Sequence, residues 1–144
     1  MSVKLKGRAE FEDFAAGCAG TLTTSSLCGI ELVPFPCELK GIMARLGTAG
    51  GTQATIVDIL KNGTTIFASG KVNFATSSAT PTYDPLTTNP TTFVKGDILK
   101  VTVTQVGSGP APADLALALN FQRQKASGVS ALTQTDTVGV DAEY

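Results

Sequence analysis

Histidine and tryptophan are both absent from the 144 residues, and that decides much of the available chemistry. Without imidazole the chain builds no Ser-His-Asp triad, no Cys-His pair and no histidine-bearing metal site. The three cysteines, Cys18, Cys28 and Cys37, are too few for a four-thiolate zinc site and show no C-x-x-C spacing. Their odd number cannot be closed into intramolecular disulfides alone. The start, MSVKLKGRAEFEDF, lacks the apolar run of a secretory signal. We therefore expect reduced, structural thiols in a protein assembled inside the cell.

The carboxylates come next. Glu31 with Glu38, and Asp58 with Asp97, lie near predicted core strands and are the pairs to weigh for general acid–base work. Nothing around them implies a desolvated cleft, so they read as solvent-side strand and turn residues. Asp58 is unusual: inside Ile56-Val57-Asp58-Ile59-Leu60 it shares a strand face with Ile56 and Leu60, which suits a subunit contact or a local hydrogen bond. Asp84, Asp97 and Asp114 lack calcium-loop spacing. Gly50-Gly51-Thr52 and Ser69-Gly70-Lys71 resemble phosphate loops only superficially. Neither supplies G-x-x-x-x-G-K-[ST] between a strand and a helix, and both read as turns. Asn62-Gly63-Thr64 fits a glycosylation sequon, yet a hairpin turn needs the same residues. No catalytic, cofactor-binding or metal-ligating residue is assigned, no cofactor is expected, and the chain is not expected to be an enzyme.

Lys and Arg number 11 against 12 Asp and Glu, a net charge of -1. That balance gives no basis for counterion-driven binding to nucleic acid or to an anionic membrane surface. No stretch approaches the roughly 20 apolar residues of a membrane span. Only 16% of residues are charged while 42% are hydrophobic, a balance that suggests much of the surface is covered by something.

Short apolar runs between Gly, Pro and Asn punctuation, rich in Thr and poor in helix formers, predict an all-β sandwich or barrel. The clearest hairpin is 52–67, where TQATIVDIL meets Asn62-Gly63 and returns as TTIFAS; Asn-Gly accepts positive φ in a two-residue turn. A strand over 98–106 alternates Leu99, Val101 and Val103 with Lys100, Thr102 and Thr104. Another, 115–122, places Leu115, Leu117, Leu119 and Phe121 on one face and Ala116, Ala118, Asn120 and Gln122 on the other. Its small residues would let a second surface pack closely. Two strands separated near Pro34-Phe35-Pro36 precede these, with Ile42, Ala44 and Leu46 inward. The Thr- and Pro-rich segment 75–92 reads as a long loop. Residues 1–17 read as an N-terminal arm or edge strand, 18–124 as the domain, and 125–144 as a C-terminal arm able to lie along a neighbour.

Gly41-Ile42-Met43-Ala44, Gly47-Thr48-Ala49-Gly50, the run Val57 to Phe67 through Asn62-Gly63, Lys95-Gly96-Asp97-Ile98-Leu99 and Thr104-Gln105-Val106-Gly107 together resemble a jelly-roll module of tailed bacteriophages. The resemblance covers 41–122 and is carried by turn-plus-strand patterns, which mark a fold more than a task. It implies an antiparallel β-sandwich of jelly-roll type with extended N- and C-terminal segments. That module recurs in head decoration (cement) proteins, commonly trimers seated on the capsid lattice. The lone domain and its arms favour that role over a tail-tip or fibre module binding a host receptor or glycan, which would call for an aromatic platform. The expected partners are the major capsid protein, the chain itself as a homotrimer and neighbouring decoration subunits, with neither nucleic acid nor membrane. The expected location is the outer surface of the capsid in the virion, after assembly in the host cytoplasm. Ala116, Ala118 and Asn120 are the candidate trimer interface, and Val129, Leu132, Val138 and Val140 the candidate capsid-contact arm.

Overall fold

The structure is a computed structural model that describes residues 11–83 and 91–124. The described residues form an all-β antiparallel sandwich. Its strands are β1 (Phe11–Thr21), β2 (Leu27–Leu32), β3 (Cys37–Thr48), β4 (Thr55–Lys61), β5 (Thr64–Thr65), β6 (Val72–Phe74), β7 (Thr82–Tyr83), β8 (Thr92–Phe93), β9 (Ile98–Gln105) and β10 (Ala113–Arg123). One sheet has the order β1-β10-β3-β8; the other runs β2-β9-β4-β6-β7, with β5 beside β4. The pairing is nested. The first strand joins the last, β2 joins β9, β3 joins β8 and β4 joins β6.

Alternation creates the core. Leu115, Leu117, Leu119 and Phe121 of β10 face Leu99, Val101 and Val103 of β9 together with Val57 and Ile59 of β4, and all are buried. Each such side chain contributes about 1.5–3 kcal/mol by leaving water, so these facing rows outweigh any single polar contact in the molecule. Phe93 and Phe121 meet edge to face, with ring centroids 5.5 Å apart, at the end of the sandwich where β3 begins.

The predicted strands near Pro34-Phe35-Pro36, over 98–106 and over 115–122 are present, and Ile42, Ala44 and Leu46 pack inward. The hairpin forms at Asn62 (φ 52°) and Gly63 (φ 86°), with Lys61 opposite Thr64. Its return strand is only two residues long; Ile66 N still donates to Ile59 O at 3.0 Å, and Ile66 and Phe67 are buried. Gly50-Gly51-Thr52 is a turn that packs backbone to backbone on the 106–110 loop. Gly51 N donates to Pro110 O at 2.8 Å and Ser108 N to Thr52 Oγ1 at 3.0 Å. Gly107 must lack a side chain, since a Cβ there would collide with the Gly51 carbonyl oxygen.

Three expectations are corrected. Cys18 and Cys28 are joined as a disulfide, their Cα atoms 5.2 Å apart, and only Cys37 is free and buried. The odd cysteine count concealed the pairing; the fold produces it by bringing β1 and β2, edge strands of different sheets, side by side. Segment 75–92 is not all loop: Thr82 and Tyr83 pair with β6, and Leu46 N donates to Ala79 O at 3.0 Å, drawing the chain onto β3. The boundary drawn at 17/18 falls inside β1, because β1 continues along β10 as far as Thr21 opposite Ala113. Residues 125–144, with the proposed arm contacts, lie outside the described residues.

Two outcomes follow from this architecture. Gly63→Val lowers stability by about 1 kcal/mol or more, since a β-branched residue is strained at positive φ; thermal melting checks it, and an unchanged midpoint refutes it. Thiol titration of denatured, unreduced protein yields one thiol per chain, Cys37, and reduction raises this to three. Removing the crosslink by Cys18→Ala with Cys28→Ala costs about 2–3 kcal/mol, as expected for a short closed loop.

Candidate functional site

Seating the leucines of β10 in the core forces the intervening residues outward, and β10 lies between β1 and β3. The outer face therefore has registered rows. Ala118 sits between Ala15 and Met43, Ala116 between Gly17 and Arg45, and Asn120 between Asp13 and Gly41. The predicted interface residues Ala116, Ala118 and Asn120 are thus together on one surface. Ala116 is exposed and the other two are half-buried. Asn120 Nδ2 donates to Asp13 Oδ1 at 2.7 Å, which fixes one end of the surface. The floor is a shallow trough of about 480 Å³, walled by Met43, 70% exposed, and by Tyr83, 42% exposed. Sequence reasoning missed both walls. Met43 follows from the same alternation, but Tyr83 reaches the trough only because β7 returns past β3.

Such a surface makes contacts rather than reactions. It offers alanine and glycine backbone for close approach, one thioether, one phenol and flanking charges. A smaller cleft of about 80 Å³ opens at the sandwich end, where Glu12 and Glu31 flank Phe14, Phe35 and Phe121.

The candidate acid–base pairs are not brought together. Glu38 pairs with Lys40 at 3.3 Å, while Glu31 lines the cleft. Asp58 is buried and accepts from Thr65 Oγ1 at 2.6 Å, with Lys71 Nζ at 3.9 Å; of the two roles expected for it, the local hydrogen bond is present. Asp97 is buried in the β8–β9 turn, where it accepts from Asn62 Nδ2 and Val94 N, each at 2.9 Å. Asn62 also accepts from Ile98 N at 2.8 Å through its side-chain oxygen. The Asn-Gly hairpin is thereby bolted to the Lys95-Gly96-Asp97 turn, which accounts for both motifs structurally. Among the described residues no group of three His, Cys, Asp or Glu can hold a metal ion.

Fold and surface define an all-β antiparallel sandwich with a shallow, small-residue contact face. The chain matches no protein-family model, and no curated protein and no solved structure is significantly similar to it.

Burial alone would raise the Asp97 carboxyl, but hydrogen bonds from Val94 N and Asn62 and the nearby Lys61 ammonium outweigh it and hold the group below its ordinary value. Burial, and then the Asp97 charge, push the Cys37 thiol up. A depressed folded-state value means that the stabilisation is present above the ordinary carboxylate range. It is lost as pH falls from there through the folded value. Asp97→Asn is expected to cost about 1.5–3 kcal/mol at neutral pH, the scale of hydrogen bonds to a charged group, and to flatten the acid side of the stability curve. Denaturant titrations of both proteins from neutral to acidic pH measure this; parallel curves would refute it.

Proposed function

We propose that the protein is a structural component of a tailed-bacteriophage virion: a decoration or cement protein of jelly-roll type that binds the outside of the capsid lattice and acts by contact, without a reaction. The observation that carries this reading is the nested strand order. Sheets ordered β1-β10-β3-β8 and β2-β9-β4-β6 pair strands from the outermost inward, as a chain does when one long hairpin rolls up into two facing sheets. This supports the jelly-roll module that the sequence motifs resemble.

The outer surface supports the role. A floor of Ala15, Gly17, Ala116 and Ala118 lets another subunit approach closely, and the low charge density reduces the desolvation that a permanent interface requires. Of the carboxylates that might have done chemistry, Glu38, Asp58 and Asp97 are tied into separate ion-pair or hydrogen-bond networks, and Glu31 lies apart from them at the cleft. A multivalent oligomer with arms at its ends would convert several weak capsid contacts into strong retention, because each later contact is intramolecular. Such binding clamps the shell against the pressure of the packaged genome.

Among the described residues, Tyr83, exposed on the trough wall, is the feature favouring a tail-tip or fibre module that binds a host glycan, since a phenol ring can stack on a sugar. Cryo-electron microscopy of the virion that carries this protein separates the two. Many copies spread over the head are expected; a few copies confined to the tail would overturn the decoration reading.

A further inference from the structure

Strand β2 ends its sheet, and hydrogen-bond parity shows what its outer edge presents. Val33, just past β2, bonds toward β9: its N–H donates to Asp97 O and its carbonyl accepts from Gly96 N, each at 2.8 Å. On β9 the Ile98 carbonyl turns the other way and accepts from Asn62 N, on the β4 side, at 2.9 Å. Leu32 opposite Ile98 and Ile30 opposite Lys100 are therefore the pairs without ladder bonds. Their N–H and C=O groups point out of the sheet, and among the described residues no strand pairs with that edge. A half-buried strand covers every second side chain, yet Ile30, Glu31 and Leu32 are all exposed. The edge is open on both faces. Exposed aliphatic edge strands of this kind are templates for another chain.

The inner side of this edge is the cleft at the sandwich end. Glu31 shares the inward face of Leu99, its partner on β9, and Glu12 that of Phe121, its partner on β10. One carboxylate thus stands on each wall, with Phe14, Phe35 and Phe121 lining the space between. Asp13 adds a third, already engaged by Asn120, and among the described residues no lysine or arginine lines the cleft. Arg123 lies at its lip, the guanidinium 3.9 Å from the Phe35 ring centroid; one cation is already held there by an aromatic face, and the balance stays negative. At about 80 Å³ the cleft takes one side-chain head, since small-molecule pockets run to roughly 300–1,000 Å³. The outer face has the opposite sign, with Lys100 beside Ile30 and Lys95 in the adjoining turn.

We propose that the edge of β2 receives an extended, antiparallel segment of another protein in which aliphatic residues alternate with lysine or arginine. Its aliphatic residues stand opposite Ile30 and Leu32 and exchange main-chain bonds with them, as in other strand additions. Its basic residues then fall opposite Glu31, in the pairing where side chains lie closest, and enter the cleft between the carboxylates and over the phenylalanine rings. The reverse alternation would set cations beside Lys100 and aliphatic groups among carboxylates. Sign and register therefore select the same sequence pattern.

This inference goes beyond the reading as a virion component, and its test needs only the purified full chain. A fluorescent octapeptide alternating valine and lysine is titrated with the protein and followed by anisotropy. Saturable binding is expected, and none is expected for the peptide alternating valine and glutamate. N-methylation of the valine nitrogens removes the donors that face β2 and is expected to abolish binding. N-methylation of the lysine nitrogens, which face away, leaves it intact. Glu12→Gln with Glu31→Gln is expected to weaken binding about five- to tenfold, the scale of two partly exposed ion pairs, with thermal melting to confirm the fold. Should that variant fail to fold, the methylated peptides decide alone. No binding to the wild type, equal binding of the glutamate peptide, indifference to valine methylation, or a folded double variant with unchanged affinity would each overturn the proposal. The chain's own Val3-Lys4-Leu5-Lys6 has the same alternation. A wild type that stays silent while Lys4→Ser with Lys6→Ser binds the peptide would assign the edge to that segment and refute an outside partner.

Discussion

A strand turns each successive side chain to the opposite face, and in β10 this rule couples the core to the outer surface. Leu115, Leu117, Leu119 and Phe121 must enter the core to close the sandwich, so Ala116, Ala118 and Asn120 must face out. A slip of one residue would put alanines in the core and leucines in water. Ten residue pairs with β3 and nine with β1 hold that register from both sides. The contact face is thus a consequence of packing: the same ladder that stabilises the fold lays its rows side by side.

The two sheets are closed at different places by different means. At one edge the Cys18–Cys28 disulfide joins β1 to β2, each the edge strand of its sheet. Toward the sandwich end, Asn62 ties the β4–β5 hairpin to Asp97 and Ile98, while Lys61 donates to Thr92 O at 2.7 Å and lies over the Phe93 ring. These polar contacts add little beside the core, yet they satisfy buried groups that would otherwise be costly. They hold the turns in place, so the faces behave as rigid surfaces, and rigid surfaces lose less entropy on association.

A protein built this way suits repeated attachment. Among the described residues, small side chains floor a trough on one sheet, exposed aliphatic side chains stand on the other, and the charges are few and mostly engaged. Proposed as a capsid decoration protein, the chain would use the stiffness of the sandwich to present contacts and the number of those contacts to secure retention.

Much of this fold was legible because strand alternation and turn chemistry are local. Asn62-Gly63, the inward row of β10 and the break at Pro34-Phe35-Pro36 follow from neighbouring residues alone, and so does the face bearing Ala116, Ala118 and Asn120. What tertiary structure decided was non-local. Which cysteine pairs with which depends on two edge strands from different sheets meeting. Tyr83 reaches the trough only because β7 returns past β3. In β2 the alternation of Ile30, Glu31 and Leu32 taken alone would turn the aliphatic pair inward. The register with β9 turns it outward and leaves Glu31 at the cleft. An isolated strand has two equivalent faces; only its partner settles which one meets water.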